Sequence, residues 1–443
     1  MSLTKVSYSM IGGGFTNVID FGAATTNTDV QNGVAFQAAL DSLKNSGGTV
    51  LIPSGTFNIT SISMPDETYN GIRVVGMSAQ LTKLNFTTVG TAITLGGVSP
   101  AYIQNASFEN MWIDSPNSNC MVYLLNGSQC SFRKIRHASN GNTGGATSKG
   151  YHLQKSMATF FEEVSYGGPV NAYTGFLVEQ DSDATTFLHC YMKGGASCYN
   201  TVAFTGGTSN IAHAVTNVQD CIIGSGTNAS VVVASDADAW CITFVNNYFE
   251  TGENGIILGN DAGPYYARDI TIQNNYFYGF QNNAVWLRAS NNVNIERNNF
   301  YLINQYDVSV NTTDVTKNSN ATIQYNTLTK NVEVNAGQSK VRIQQDDGTI
   351  RDKLTFIPDD GLADVSWTPG TIANNASVST NVTVSGVVDG WIALASFSLP
   401  LGGMSISAAI NAVNAVTVTI TNNTGGALTL GAGVVRALVI PTR

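Results

Sequence analysis

Apolar and polar residues between Ala106 and Thr329 follow a nine-residue figure that returns nine times. Four copies are plain: ITFVNNYFE (Ile242 to Glu250), ITIQNNYFY (Ile270 to Tyr278), VNIERNNFY (Val293 to Tyr301) and ATIQYNTLT (Ala321 to Thr329). Weaker copies begin at Ala106, Cys130, Thr159, Thr185 and Thr216. Their sixth positions are Met111, Ile135, Val164, Cys190, Cys221, Asn247, Asn275, Asn298 and Asn326, so the copies recur every 23 to 31 residues. A period in that range marks a solenoid or a propeller with one unit per repeat. Each copy holds two short alternating stretches around a polar turn and no helical period, which predicts one coil of a parallel β-helix. Positions 3, 6 and 8 should point inward and positions 4, 7 and 9 outward. Asn247, Asn275, Asn298 and Asn326 then stack as an internal ladder whose amides satisfy one another and the turn backbone. A third strand precedes each copy, as in TGFLVEQDS (174–182), NGIILGN (254–260) and NAVWLRAS (283–290), giving three strands per coil.

The flanks lack this period. Residues 15–62 form an N-terminal module in which VIDFGA predicts a short strand and TVLIPSGTFNI two strands about a turn. Between them lies an amphipathic helix N-capped by Asp29, with Val34, Phe36, Ala39, Leu40 and Leu43 on one face and Gly47-Gly48 as its stop. A solenoid has an open apolar end, and a helix laid across the first coil would cover it. The coils then occupy 63–330 and a polar connector 331–354. Residues 355–443 predict short antiparallel strands of a sandwich-like domain, which buries itself poorly alone and so favours oligomerisation. Residues 1–14 precede the N-terminal module and carry none of its pattern.

Composition narrows the function. Only 12% of the 443 residues are charged, about half the usual share, and the formal net charge is −9 with Lys and Arg scattered singly. Nucleic acid is a poor partner for such a chain, because phosphate binding needs clustered cations. An acidic glycan stays open, since a groove can hold local basic residues inside an acidic molecule. No run is apolar enough to span a membrane, and the N-terminus has no secretory signal. The six cysteines contain no CxxC. Cys190 and Cys221 should stack on successive coils, where reduced core thiols are a simpler reading than a disulfide. The four histidines show no metal spacing, and neither a metal nor a cofactor is expected.

VIDFGA, the helix GVAFQAALDSL, GGTVLIPSGTF (Gly47 to Phe57) and the NNYF repeats together resemble the tailspike proteins of bacteriophages, in the pectate-lyase-like superfamily of right-handed β-helices. TKVSYSMIGGG is similar to the linker between a tailspike's head and its β-helix, which implies a linker at residues 1–14, and GGALTLGAGVVRALVI resembles the trimerising domains at tailspike tips. The resemblance implies an all-β, right-handed parallel β-helix with a C-terminal antiparallel trimerisation domain. It also implies a homotrimer, carried on a phage tail or baseplate protein and made without a signal peptide. Such a protein acts from the virion tail at the host surface, binding a capsular or O-antigen polysaccharide and usually cleaving it. The chain departs from the family in carrying almost no head domain. Tailspikes share no catalytic motif, so no residue carries over. The related polygalacturonases do have one, but only their NTD is matched, by Asn27-Thr28-Asp29, and their GHG and RIK motifs are absent.

Glycosidic hydrolysis needs two carboxyl groups facing one linkage, and sugar binding favours exposed aromatic faces. The outward seventh and ninth positions put Tyr191, Lys193, Tyr248, Glu250, Tyr276, Tyr278 and Tyr301 on one face over five coils. A trimer partner or a loop covering the tyrosines is the competing explanation of that stripe. Glu250 is the first catalytic candidate and Asp220 a partner for it; Glu179 and Asp181, with Asp183 beside them, form a second cluster. A lyase would instead take a base such as Lys193 with Tyr191, or Arg288 beside Trp286. A binding-only adhesin would use the same aromatic groove with no competent carboxylate pair.

Overall fold

A computed structural model of the chain describes residues 15–140, 148–167, 174–194, 198–206, 213–224, 226–233, 238–260, 266–311, 319–328, 332–334, 340–344, 350–351, 362–384, 387 and 392–440. The expected linker at 1–14 lies outside them. Parallel strands stack coil on coil into a right-handed β-helix of about nine turns with three faces. Strands such as Ala239–Val245, Ala267–Gln273 and Ser290–Glu296 build the first face. Tyr248–Gly252, Tyr276–Phe280 and Asn299–Tyr301 belong to the second. Asn254–Leu258, Asn283–Leu287 and Tyr306–Val310 belong to the third. Stacking already starts in the N-terminal module, where Gly48–Ile52 and Gly55–Ile59 pair with Ile72–Gly76 and Thr82–Phe86.

The repeat's inward positions are buried as the alternation requires. In the copy from Ile242, residues Ile242, Phe244, Asn247 and Phe249 are buried, while Thr243, Tyr248 and Glu250 are part-exposed. The fifth position turns the first face into the second. In all nine copies it has left-handed backbone, with φ between 51° and 58° at Asn110, Lys134, Glu163, His189, Asp220, Asn246, Asn274, Arg297 and Tyr325. Asn adopts this conformation readily, whereas Lys, Glu, Arg and Tyr have no local reason to. The parallel pairing on either side of the corner imposes it.

Inside the coils, the middle ladder asparagines, Asn275 and Asn298, each accept two bonds and donate two. Asn298 Oδ1 accepts from Asn275 N (2.8 Å) and Asn275 Nδ2 (3.0 Å). Its own Nδ2 donates to Ile272 O (2.9 Å) and Asn326 Oδ1 (3.0 Å). The ladder continues into the thiols: Cys221 N donates to Asn247 Oδ1 (2.9 Å), and Cys190 N to the sulfur of Cys221 (3.3 Å). All six cysteines are free, and five are buried. Phe108, Phe132, Phe161 and Phe187, third positions of four successive copies, stack with ring centres 6.0, 5.2 and 4.9 Å apart.

Buried against the rings of Tyr151 and Tyr166, His137 places Nδ1 3.1 Å from Ile113 O and Nε2 2.8 Å from the Tyr151 hydroxyl. Burial holds its pKa down from 6.5 to about 4. A base whose folded pKa is depressed stabilises the fold above its unfolded pKa and loses that contribution as pH falls through the folded one. The melting temperature should therefore fall between about pH 6.5 and 4, and His137→Phe should flatten that slope in a thermal-melt series. An unchanged slope in the variant would remove His137 as its origin.

Three local expectations are corrected. VIDFGA is not a strand: Phe15–Asn17 is one, and Val18–Phe21 is a 3-10 turn closed by left-handed Gly22. The helix (Asp29–Asp41) is capped by Thr28, whose hydroxyl accepts from Gln31 N while the Gln31 side chain accepts from Thr28 N. Asp29 is the first helical residue and accepts from Val30 N and the Thr87 hydroxyl instead. Val34 is 67% exposed; Asn32, Ala35, Phe36, Ala39, Leu40 and Leu43 form the buried face, and Phe36 meets Phe57 edge-on at 5.7 Å. That set follows the 3.6-residue period, from which Val34 departs. Among the described residues, no helix is long and apolar enough to cross a membrane.

The second compact unit holds the C-terminal residues. Its antiparallel sheets join Ala376–Thr383 and Ser405–Ala412 through Ala415–Asn422, and Leu362–Trp367 and Ile392–Phe397 through Gly433–Ile440. Val382, Val384, Val416, Val418, Val435 and Val439 fill its core. Ile392 and Leu394 are each 51% exposed on an edge strand.

Candidate functional site: a tyrosine face with a lysine–glutamate pair

On the second face, strand register aligns the outward residues into two columns. The seventh position runs Tyr191, Ile222, Tyr248, Tyr276 and Asn299, and the ninth runs Lys193, Gly224, Glu250, Tyr278 and Tyr301. Tyr248 and Tyr276 stack at 5.4 Å between centres, and Tyr278 and Tyr301 at 5.8 Å. Tyr191 and Tyr301 are 38% and 49% exposed, so both ends of the stripe meet solvent. The expected columns and the single face of these residues are observed.

Lys193 Nζ donates to Glu250 Oε1 at 2.8 Å although the two residues lie two coils apart. Gly224 stands between them and makes the reach possible. A Cβ there would come within 2.2 Å of Glu250 O and 2.8 Å of Glu250 Cγ. Gly224→Ala must therefore shift backbone, costing roughly 1–3 kcal/mol, and should break the pair. The expected readout is a melting temperature lower by a few degrees; an unchanged value would show that the strand gives way freely. The bond to Glu250 raises the Lys193 pKa. Desolvation, and then the Glu250 charge, raises that of Tyr248.

The other candidates lie elsewhere. Asp220 occupies the left-handed corner, accepts from Gln219 Nε2 (3.0 Å) and sits 3.6 Å from His189 Nε2. From that corner to Gly224, the neighbour of Glu250, runs ~10 Å of extended strand. Glu179 ends a third-face strand, where its Oε1 is 2.8 Å from His152 Nε2, and both side chains are nearly buried. His152 stacks on Tyr123 at 4.8 Å, and the Tyr123 hydroxyl donates to Gln154. Burial, then the Glu179 charge, raises the Tyr123 pKa. Asp181 follows in left-handed backbone at φ 52°. Trp286 also belongs to the third face, with the Arg288 guanidinium 4.6 Å from its ring centre. Neither shares the tyrosine face. The Tyr123–His152–Glu179 cluster escaped sequence reading because the third strand carries no fixed figure from which to take register.

No protein-family model and no curated protein matches the sequence. Solved structures do. The Dettilon tailspike protein aligns over 99% of this chain and 97% of its own, at 12% identity and a TM-score of 0.54. The fold is that of the phage tailspikes. The ORF18 protein of Geobacillus virus E2 aligns over 97% of this chain and 77% of its own (17% identity, TM-score 0.54). The family 28 exopolygalacturonase of Yersinia enterocolitica aligns over 75% and 72% (13% identity, TM-score 0.53). The tailspike likeness thus runs through almost the whole chain, whereas the exopolygalacturonase covers three quarters of it.

Proposed function

We propose that this chain is a phage tailspike that binds a bacterial capsular or O-antigen polysaccharide along its tyrosine face and cleaves it by hydrolysis. The observation that carries the reading is the register of four stacked tyrosines with the Lys193–Glu250 pair on one solvent-facing column set. Flat aromatic faces bind pyranose rings, and the pair holds a carboxylate at their centre. Bound to a lysine, Glu250 suits the role of base or nucleophile, the half of the reaction that needs a carboxylate. The acid comes from Asp220, or from Glu179 or Asp181 of a neighbouring subunit in a homotrimer, attached to the tail or baseplate of a virion.

A binding-only adhesin is the second reading. It is favoured by the partners of the candidates themselves: Lys193 on Glu250, His189 and Gln219 on Asp220, His152 on Glu179. Spotting the purified protein on lawns of many encapsulated and smooth strains separates the two. Translucent halos on a few strains, with products that lack ultraviolet absorbance, support hydrolysis. Unsaturated, absorbing products would identify a lyase, and strain-specific binding without halos would identify the adhesin.

A further inference from the structure

The second face continues past the tyrosines into the first coils. Its seventh-position column runs Lys83, Trp112, Arg136, Ser165, Tyr191, each residue paired in register with the next. Lys83 Nζ lies 5.2 Å and Arg136 Cζ 5.7 Å from the Trp112 ring, so two cations flank one indole. Asp114, in the ninth-position column, lies 3.5 Å from Lys83. Arg136 is exposed, and no carboxylate among the described residues is paired with it.

Cations thus recur on every second coil of this face: Lys83, Arg136, Lys193. At one strand spacing per coil they stand about 10 Å apart. Among the described residues Lys83 is paired with Asp114 and Lys193 with Glu250, so three cations stand against two carboxylates here, in a chain whose net charge is −9. On the first face the arginines are matched instead, Arg73 by Glu109 and Arg133 by Glu162. A sugar in an extended chain spans close to one strand spacing, so two coils correspond to a disaccharide.

We propose that the ligand of this face is an acidic polysaccharide whose carboxylates recur at disaccharide intervals and are received in turn by Lys83, Arg136 and Lys193. The proposal rests on the reading of the face as a glycan groove and adds the chemical class of its ligand. Arg136, beside Trp112 and paired with no carboxylate among the described residues, is the principal anchor, since a guanidinium binds a carboxylate with two parallel hydrogen bonds.

Affinity electrophoresis of the full-length protein tests it. The probes are polygalacturonate, hyaluronan, alginate and polysialic acid, each native and carboxyl-reduced. Neutral dextran and pullulan complete the set with surface polysaccharides from a broad strain panel, treated both ways. The expected result is retardation by acidic polymers only, abolished by carboxyl reduction. Arg136→Gln should weaken it roughly ten- to hundredfold, while Arg133→Gln, at an exposed cation of the first face, should not. Equal retardation by a neutral or carboxyl-reduced polymer, or an Arg136→Gln protein that binds like the parent, overturns the acidic ligand and leaves the groove standing. Retardation by no polymer at all overturns both.

Discussion

Replacing Glu250 by Gln should lower the rate of polysaccharide cleavage by roughly 10²–10⁴-fold, the range a single acid–base or nucleophilic group supplies, and leave binding within a few-fold. Gln keeps the size of the side chain and an oxygen for Lys193, so the Lys193 Nζ bond of 2.8 Å has an acceptor in the variant and the strand stays filled. What disappears is the negative charge that would activate water or attack the anomeric carbon. Comparing turnover by reducing-end release with binding by affinity electrophoresis makes the two effects separable. Asp220→Asn is the companion. Its carboxylate is separated from Glu250 by a corner and a strand, so a loss as large as that of Glu250→Gln would place the second carboxyl across that distance through the substrate. A silent Asp220→Asn with an inactive Glu250→Gln would move the acid to another carboxyl group. Full activity in Glu250→Gln would remove the glutamate from the mechanism altogether.

The parallel coils were legible because their physics is periodic. Inward residues at positions 3, 6 and 8 recur with the pleat, and one unbroken register from Tyr191 to Tyr301 lets outward columns be written from the sequence. The stripe and the neighbours of Glu250 follow from that register alone. The left-handed corner was hidden by its own residue types: Asn110, Asn246 and Asn274 hint at it, but Lys134, Arg297 and Tyr325 adopt it only because the flanking ladders compel them. Lys83 lay before the first copy of the figure, and its place beside Trp112 depends on a strand pairing with no sequence mark. The Lys193–Glu250 contact across Gly224 is a matter of side-chain reach, which periodicity does not encode. Val34 shows the converse error, an apolar residue assigned inward by type when its phase on the helix turns it to solvent.

The largest loss of stability is expected from Asn298→Leu, at about 3–5 kcal/mol, because it strands several buried groups at once. The leucine removes the acceptor of Asn275 N and of one Asn275 Nδ2 hydrogen, and it removes the donor that satisfies Ile272 O. Water cannot replace them, since Asn275 and Asn298 are 1% and 0% exposed. The same column is apolar in earlier coils, at Met111, Ile135 and Val164, so volume alone is no obstacle there. The cost lies in cutting a ladder whose neighbours are already amides. Cys221→Ala should cost less, roughly 1 kcal/mol, because a thiol is a weak partner both where it accepts from Cys190 N (3.3 Å) and where it faces Gln219 O (3.1 Å) and Phe187 O (3.6 Å) as a donor. A solenoid transmits such damage mainly to adjacent coils. Hydrogen exchange should therefore accelerate in Tyr276–Phe280 and Ser290–Glu296 while Ala415–Asn422, in the other compact unit, keeps its protection. Uniform acceleration in both units would mean that the coils and the C-terminal strands unfold as one, and equal costs for Asn298→Leu and Cys221→Ala would mean that the amide ladder adds nothing beyond its volume.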